Sequence, residues 1–484
     1  MTTNSLHLMG RGLGRPLAVA ALFLAAFMNL LDVTIVNLAL PVIQSELRAT
    51  PTQLEWVLVI YVLAFGAGLL PFGRFGDAFG RMKLFCWGII LFITSSIICG
   101  FAQNIETLIA ARGFQGVAAA MMVPQVLAIV HVLFEPEERG KVIGIFATVN
   151  GLGAVVGPIL GGAIVSADLG GLSWRPIFLI NLPLGLLSLF GALVFLPKMP
   201  VLHKQVLDWV GACTFASVIL GITYPLVEGR ALGWPVWCFI MLVSSLLLAV
   251  FFVRLQLKRS QKNLPQLIPV SLLRDKAFVT GLLVVALFFS GISGVMFILA
   301  IFLQWGHGFS PLQAGLASAF HPVGVMVASS LTARLGAGFL VSRLAVGAGL
   351  LFIGMTSLQL VILMSAGPFS VSDFIAPLLT IGAGMGTAIS ALFQSVLLRV
   401  SGPDAGAGSG ILQTFQQLGI ALGITIVGQI FFGVLGQAGD PETFNSAASK
   451  ALLYSIGVYL LLTLMHLTSL LKSRSLGAVP NEQG

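Results

Sequence analysis

The chain has 484 residues, of which 57% are hydrophobic and 9% charged. A soluble domain carries about 25% charged residues, so an ordinary soluble protein is excluded, and a mean hydropathy of +1.02 points to a chain built for lipid. The net charge of +8 arises from 25 Lys and Arg against 17 Asp and Glu, but the bases lie in short segments between apolar runs, which reads as membrane topology rather than nucleic-acid binding.

Charged and Gly/Pro-rich breaks divide the chain into fourteen apolar spans, each near the roughly 20 residues that a helix needs to cross a bilayer. After a tail over 1–16, six spans fall at 17–43, 54–75, 84–102, 107–130, 141–166 and 175–197, an N-terminal bundle over 17–197. Linkers and an extra hairpin, at 207–227 and 233–253, occupy 198–276. Six more spans, at 277–303, 313–335, 343–364, 373–398, 408–436 and 450–471, make a C-terminal bundle over 277–471, followed by a tail over 472–484. The expected fold is an all-α integral membrane protein, two six-helix bundles plus two extra central helices. The hairpin carries charge only near its ends, at Asp208, Glu228 and Arg230, and is expected at the periphery. A membrane β-barrel is excluded: it would alternate polarity over segments of about 10 residues, whereas residues 277–333 contain no Asp, Glu, Lys or Arg.

Successive loops must alternate sides. With the N-terminus inside, 20 of the 25 Lys and Arg fall in inside loops, Arg48, Arg175, Arg230 and Lys450 fall outside, and Arg112 alone lies within a span. That bias places both termini in the cytoplasm. All seven Trp fall near span ends, as in an interfacial belt. Arg11 and Arg15 precede an apolar run reaching Ile43, longer than the 7–15 residues of a signal-peptide core, so the segment is expected to remain. Cys86, Cys99, Cys213 and Cys238 sit inside apolar stretches with no Cys-x-x-Cys pair and no clustered His, so neither a metal site nor a cofactor is expected.

Asp32 is the one carboxylate read as lying well inside a span, in Met28-Asn-Leu-Leu-Asp-Val-Thr-Ile-Val-Asn-Leu-Ala-Leu-Pro41. An ionised Asp at the bilayer centre costs about 2.5–3.5 kcal/mol on insertion scales, so it must face an aqueous cavity or a partner, and a carboxyl so placed can exchange protons. Permanent structural pairing is the alternative. Arg112 is its basic counterpart, able to tune Asp32 or to snorkel to the interface. Gly153, Gly157 and Gly161 recur every fourth residue, giving a flat helix face for close packing, and Pro158 adds a kink. Gly419 and Gly423 repeat the device beside Gln413 and Gln417, an i, i+4 pair suited to a substrate cavity or to interhelical hydrogen bonds. His321, mid-span before Pro322, is either a titrating group or a packing histidine. Gly73-Arg-Phe-Gly-Asp-Ala-Phe-Gly-Arg-Met-Lys83 is a compact, polar turn between the second and third spans.

With these motifs the sequence resembles the major facilitator superfamily, and within it the fourteen-span drug:proton antiporters of the EmrB/QacA type, over nearly the whole chain. Gly73, Asp77, Gly80 and Arg81 match the family's cytoplasmic loop motif, which the resemblance makes a gate; Leu108, Arg112, Gln115 and Gly116 match its fourth-span motif; Gly153, Gly157, Pro158, Gly161 and Gly162 match its antiporter motif. Asp32, Thr34, Asn37 and Pro41 look like the first-span motif, and Trp174-Arg-Pro-Ile-Phe-Leu-Ile-Asn-Leu-Pro183 resembles a segment of the fourteen-span branch, as does 409–423. Ala78 and Met82 replace bases usual in the loop motif, Pro176 replaces an aromatic, and the matching loop at 334–343 has no Asp.

The resemblance implies a proton-coupled antiporter of the bacterial cytoplasmic membrane that exports small amphipathic compounds or drugs and confers antibiotic resistance. Asp32 and Arg112 would couple protons, and Asn37, Gln115, His321, Gln413 and Gln417 would line a substrate cavity. Its partners would be a small-molecule substrate, protons and membrane lipid, with no nucleic acid; in a Gram-negative host a periplasmic adaptor and outer-membrane channel are conceivable. A monomer is expected. The rival reading is a dedicated exporter of one metabolite. A membrane-embedded hydrolase is remote, because no His-Glu-x-x-His, Gly-x-Ser-x-Gly or Gly-x-Gly-Asp motif occurs.

Overall fold

The computed structural model describes residues 14–197, 208–335, 339–364, 367–401, 404–436 and 439–475. Most of the expected N-terminal tail, the linker segment 198–207 and the end of the C-terminal tail lie outside the described residues. Among those described, all regular structure is helical, and fourteen helices are long and apolar enough to cross a membrane: α1 (Gly14–Leu47), α2 (Pro51–Phe79), α3 (Arg81–Gly100), α4 (Ile105–Leu133), α5 (Glu137–Ala167), α6 (Pro176–Phe195), α7 (Trp209–Glu228), α8 (Val236–Gln261), α9 (Lys276–Gly306), α10 (Pro311–Thr332), α11 (Leu340–Met364), α12 (Val371–Leu397), α13 (Ala405–Leu435) and α14 (Pro441–Leu471).

Local chemistry sets several boundaries. Thr50 and Gln53 form a capping box with Pro51 in the first turn of α2, and Ser310, Gln313 and Pro311 repeat it for α10. Asn104 caps α4 by accepting from the Thr107 amide at 2.8 Å. Two ends differ from expectation. The final helix starts at Pro441, not near 450, because Asp440 accepts from the Thr443 amide at 2.9 Å and Pro441 fits a first turn. The second hairpin helix continues to Gln261, so Arg254, Lys258 and Arg259, read as linker residues, are helical. Lys258 and Arg259 lie in its last turn, where cations oppose the negative end of the helix dipole.

The chain divides into two compact units, residues 1–157 with 164–270, and residues 158–163 with 271–484. In the first, α4 packs on α2 and α3, α1 on α6 and α4, and the hairpin α7–α8 attaches through α7 to α2. Small residues permit close approach where lipid supplies no hydrophobic driving force: Gly116 of α4 lies against the backbone of Tyr61 in α2, and Gly88 of α3 against Met122 of α4. In the second unit α12 packs on α10 and α11, α13 on α9, and α14 on α11 and α13. Gly347 and Gly384 face each other's helices, as do Gly324 and Gly382.

The hairpin's charged ends are hydrogen-bonded junctions rather than loose loops, Asp208 buried and Glu228 half-buried. Asp208 caps α7 by accepting from the Gly211 amide at 2.8 Å, and it also accepts from Gln256 Nε2 at 2.8 Å and the Leu267 amide at 3.2 Å. Arg259 Nε lies 3.4 Å from the same carboxylate. At the other end Trp56 Nε1 of α2 donates to Glu228 Oε1 at 2.6 Å. Much of the apolar surface of α8, including Ile240, Leu246 and Leu247, remains exposed, as suits a lipid-facing helix.

Candidate functional site

The first unit builds its polar centre from four helices. Asp32 lies mid-way along α1 and is fully buried, as are Gln115 of α4 and Asn181 of α6, while Arg112 of α4 and Ser96 of α3 are almost so. Arg112 Nη1 stands 2.5 Å from Asp32 Oδ2. Asp32 Oδ1 accepts from Gln115 Nε2 and from Asn181 Nδ2, each at 2.9 Å. Around this pair, Gln115 Oε1 accepts from Arg112 Nη1 at 2.7 Å, and Ser96 Oγ accepts from Gln115 Nε2 at 3.2 Å and from Asn181 Nδ2 at 2.9 Å.

The arrangement follows from local sequence. Arg112 and Gln115 are three residues apart, hence on one helix face, and Arg112 Nε is held by the Val57 carbonyl at 3.2 Å. Its guanidinium stacks 4.2 Å over the Tyr61 ring, whose hydroxyl donates to Asn29 Oδ1 at 2.6 Å. Asn181 is placed by the segment before it: Trp174 Nε1 and Arg175 Nη1 both donate to Glu46 Oε2 of α1, at 2.9 and 2.8 Å, pinning the start of α6 to the end of α1. Pro183 then lacks the N–H that would bond the Leu179 carbonyl, and the helix breaks at Ile180, next to Asn181.

Electrostatically the site is a carboxylate cradle. Every side chain that hydrogen-bonds Asp32 presents a donor, and the guanidinium supplies the counter-charge that makes burial tolerable. It can hold an anionic carboxylate or, with rearrangement, a proton.

The sequence reading brought Asp32, Arg112 and Gln115 into candidacy, and the structure joins all three, but Gln115 is a ligand of Asp32 rather than a residue standing apart from it. Ser96 and Asn181 were missed as members of the site. An Asn within the apolar run 177–187 was the available signal for one of them. Asn37 is half-buried on α1 and joins none of the bonds to Asp32. Asp32 is not the only fully buried carboxylate: Glu55, which the sequence reading did not single out, is fully buried on α2, its oxygens making no hydrogen bond and Arg230 Nη2 lying 4.0 Å away. Asp208, at the start of α7, is also buried.

The other motifs are placed as follows. Arg81 Nε and Nη2 both reach Asp77 Oδ1 at 2.8 Å, and Arg81 Nη1 donates to the Ala128 carbonyl at 2.7 Å. Gly80 links α2 to α3 with φ of 105°, a left-handed value that favours glycine. Gly73 has open space around it, whereas Gly76 packs on the Gln125 side chain, which donates to the Phe72 carbonyl at 3.1 Å. Gly153 and Gly157 of α5 face Phe27 and Thr34 of α1, and Pro158, Gly161 and Gly162 are buried. In the second unit His321 is half-buried, its Nε2 without a hydrogen-bond partner, and Gln413 and Gln417 are half-buried on α13. There too, a short π-helical turn at Phe302–Gly306 precedes His307, whose ring lies 4.6 Å from Phe302 and 4.5 Å from Phe369. Burial among these rings holds the His307 imidazole below its ordinary pKa, opposed in part by Asn445 Oδ1, 2.9 Å from Nε2.

Residues 22–424 match the profile of the Major Facilitator Superfamily. The chain belongs to that superfamily. It is similar to a probable actinorhodin transporter of Streptomyces coelicolor, 38% identical over 437 residues that cover 90% of this chain and 75% of that one. A puromycin resistance protein of Streptomyces alboniger is 32% identical over 450 residues, covering 90% and 88%. In fold it resembles a solved bacterial homologue of the human drug peptide transporters PepT1 and PepT2, with a TM-score of 0.66 at 15% identity over 96% of this chain and 99% of that one. This member of the superfamily is a multi-pass transporter of the bacterial cytoplasmic membrane, not an enzyme.

Proposed function

We propose that this transporter is a proton-coupled antiporter that exports small amphipathic compounds by alternating access, with both termini in the cytoplasm and Asp32 as the proton-binding group. The observation that carries the reading is the buried Asp32–Arg112 pair inside a shell of donors. A carboxylate and a guanidinium deep in a spanning bundle are expensive, and this pair sits where α1, α3, α4 and α6 meet. Binding a proton removes the charge that holds Arg112, and a change in that pairing gives the bundle two states to move between. The relatives named for actinorhodin and puromycin resistance support export of antibiotics or similar compounds.

In this reading Asp77 and Arg81 latch the cytoplasmic end of α2, the α5 glycines let α1 slide or rock closely against it, and Asn37, His321, Gln413 and Gln417 offer polar contacts to substrate. Exchange of one proton for one monovalent cation is electroneutral. A neutral solute instead moves one charge inward per cycle, worth about 2.3 kcal/mol per 100 mV of membrane potential.

The test is uphill export in proteoliposomes under an imposed pH gradient. Asp32→Asn keeps size while removing the titrating group, so it should abolish accumulation against a gradient and retain substrate binding. Undiminished uphill transport by that variant would refute the assignment. A second reading, a dedicated exporter of one compound, is favoured by the similarity to the actinorhodin transporter; a panel of chemically unrelated cationic dyes separates the two, since breadth of transport excludes it.

A further inference from the structure

The shell around Asp32 suits an anion and has no place ready for a neutral acid. A protonated carboxyl carries an O–H that needs an acceptor, and a buried donor left without one costs about 1–3 kcal/mol. The neighbouring oxygens are already engaged. Gln115 Oε1 accepts from Arg112 Nη1 at 2.7 Å, and turning that amide would set its NH2 against the guanidinium. Ser96 Oγ donates to the Phe178 carbonyl at 2.9 Å and fills both lone pairs with Gln115 Nε2 and Asn181 Nδ2. The Val57 carbonyl accepts from Arg112 Nε, and the Tyr61 hydroxyl, which donates to Asn29 and keeps its lone pairs, makes no hydrogen bond to Asp32. Among the side chains that hydrogen-bond Asp32, one acceptor is left over: Asn181 Oδ1 is buried and makes no hydrogen bond, although the other end of the same amide donates to Asp32.

We propose that Asn181 is a second proton-coupling residue, whose side-chain amide turns over when Asp32 is protonated so that Oδ1 accepts the hydrogen bond of the neutral acid. The proton comes from an aqueous phase and forms an O–H bond on Asp32; nothing else is made or broken except hydrogen bonds. A half-turn about the last torsion of an Asn side chain interchanges oxygen and nitrogen in nearly the same volume, and that torsion is broad and two-fold. In the ionised state the NH2 faces Asp32 and the oxygen is unpartnered; in the protonated state the oxygen faces Asp32. Turned over, the amide sets its NH2 where Oδ1 stood, a buried place that offers no acceptor in this packing, so the protonated state is satisfied only as α6 shifts to give that NH2 a partner. The other ionisable groups in this neighbourhood are Arg112 of α4, Tyr61 of α2, and Cys99 of α3, whose Sγ lies 3.8 Å from Gln115 Oε1. Only Arg112 carries a charge there. Because Asn181 belongs to α6 and Asp32 to α1, the turn transmits protonation to the helix that Trp174 and Arg175 fasten to α1.

This inference rests on the proton-coupled reading of Asp32, and infrared difference spectroscopy separates the two. Purified full-length protein in lipid vesicles, labelled with side-chain ¹³C-asparagine, is titrated from neutral to acid pH. The expected result is a protonated-carboxyl band that Asp32→Asn removes. Accompanying it, an isotope-sensitive asparagine carbonyl band should move to lower wavenumber as the unpartnered oxygen gains a hydrogen bond. Asn181→Ser should delete the asparagine change and retain the carboxyl band, since a hydroxyl both donates and accepts. A carboxyl band with no asparagine change in the parent protein overturns the role of Asn181 and leaves Asp32 standing, even if the Ser variant does not fold. Absence of any carboxyl band dependent on Asp32 overturns both.

Discussion

Replacing Arg112 with Met keeps an unbranched apolar stem and removes the charge, leaving Asp32 with donors only on Oδ1. Breaking a buried pair from one side destabilises by about 3–5 kcal/mol, because the remaining charge is uncompensated. The guanidinium also lies 4.2 Å over the Tyr61 ring, a contact worth about 2 kcal/mol when desolvated, but Met restores part of it by packing on the same face. A net loss of about 4 kcal/mol is therefore expected for Arg112→Met. Asp32→Asn retains an oxygen for Gln115 and Asn181, yet leaves Arg112 with only Gln115 Oε1 and the Val57 carbonyl as acceptors, and should lose a comparable but smaller amount. In the double variant neither charge is stranded, so its loss should fall short of the summed single losses by about 2 kcal/mol, within the range found for directly coupled residues. Reversible unfolding in mixed micelles, followed by Trp fluorescence, measures all four proteins. Additivity within about 0.5 kcal/mol would show that the two side chains do not stabilise each other and would remove the physical basis for a coupled switch.

A side chain at position 157 meets Thr34 on α1; Gly157→Val should destabilise by about 1–3 kcal/mol through overpacking and suppress transport, and Thr34→Ala in the same molecule should restore part of both. Failure of that rescue would place the requirement for glycine elsewhere. His307 is held below its ordinary pKa when folded, so the unfolded chain, titrating at about 6.5, binds more protons just below that pH. Stability should thus be full above about pH 7 and decline as pH falls through 6.5, and His307→Phe should flatten that part of a melting-temperature profile. Asp208→Ala strands the buried amide of Gly211 and the Gln256 NH2, at about 1–3 kcal/mol for each group left unsatisfied, and leaves the Leu267 amide with Gln256 Oε1 alone. Limited proteolysis should then cut near 265–268, and unchanged resistance there would argue against the junction.

The fourteen spans were readable because a hydrocarbon layer admits little except long apolar helices. Their ends were less so: capping at Asp440 and the basic last turn of α8 extend helices beyond the apolar stretch that hydropathy detects. Asp32 and Arg112 stood out as charges among apolar neighbours. Their partners did not, since Ser96 and Asn181 come from α3 and α6, and only the packing of those helices brings Asn181 to 2.9 Å from Asp32 and Ser96 to 3.2 Å from Gln115. Glu55 escaped notice for a different reason. It lies in the first turns of α2, where a sequence suggests water, and its burial depends on α7 covering that end of the helix.

The junction at Asp208 also bears on how this chain could be divided or spliced. Gln256 Oε1 accepts from the amides of Leu267 and Ile268, at 2.9 and 3.4 Å, so the polypeptide stays fastened to the first unit until Ile268. A gene cut at 198, where the first six helices end, would separate the hairpin from the helix it grips. Cut after 268, it would leave the hairpin and all of its fastenings on the first fragment. For co-expression of split halves, or for a fusion that exchanges C-terminal halves between relatives, the hairpin is cargo of the N-terminal half.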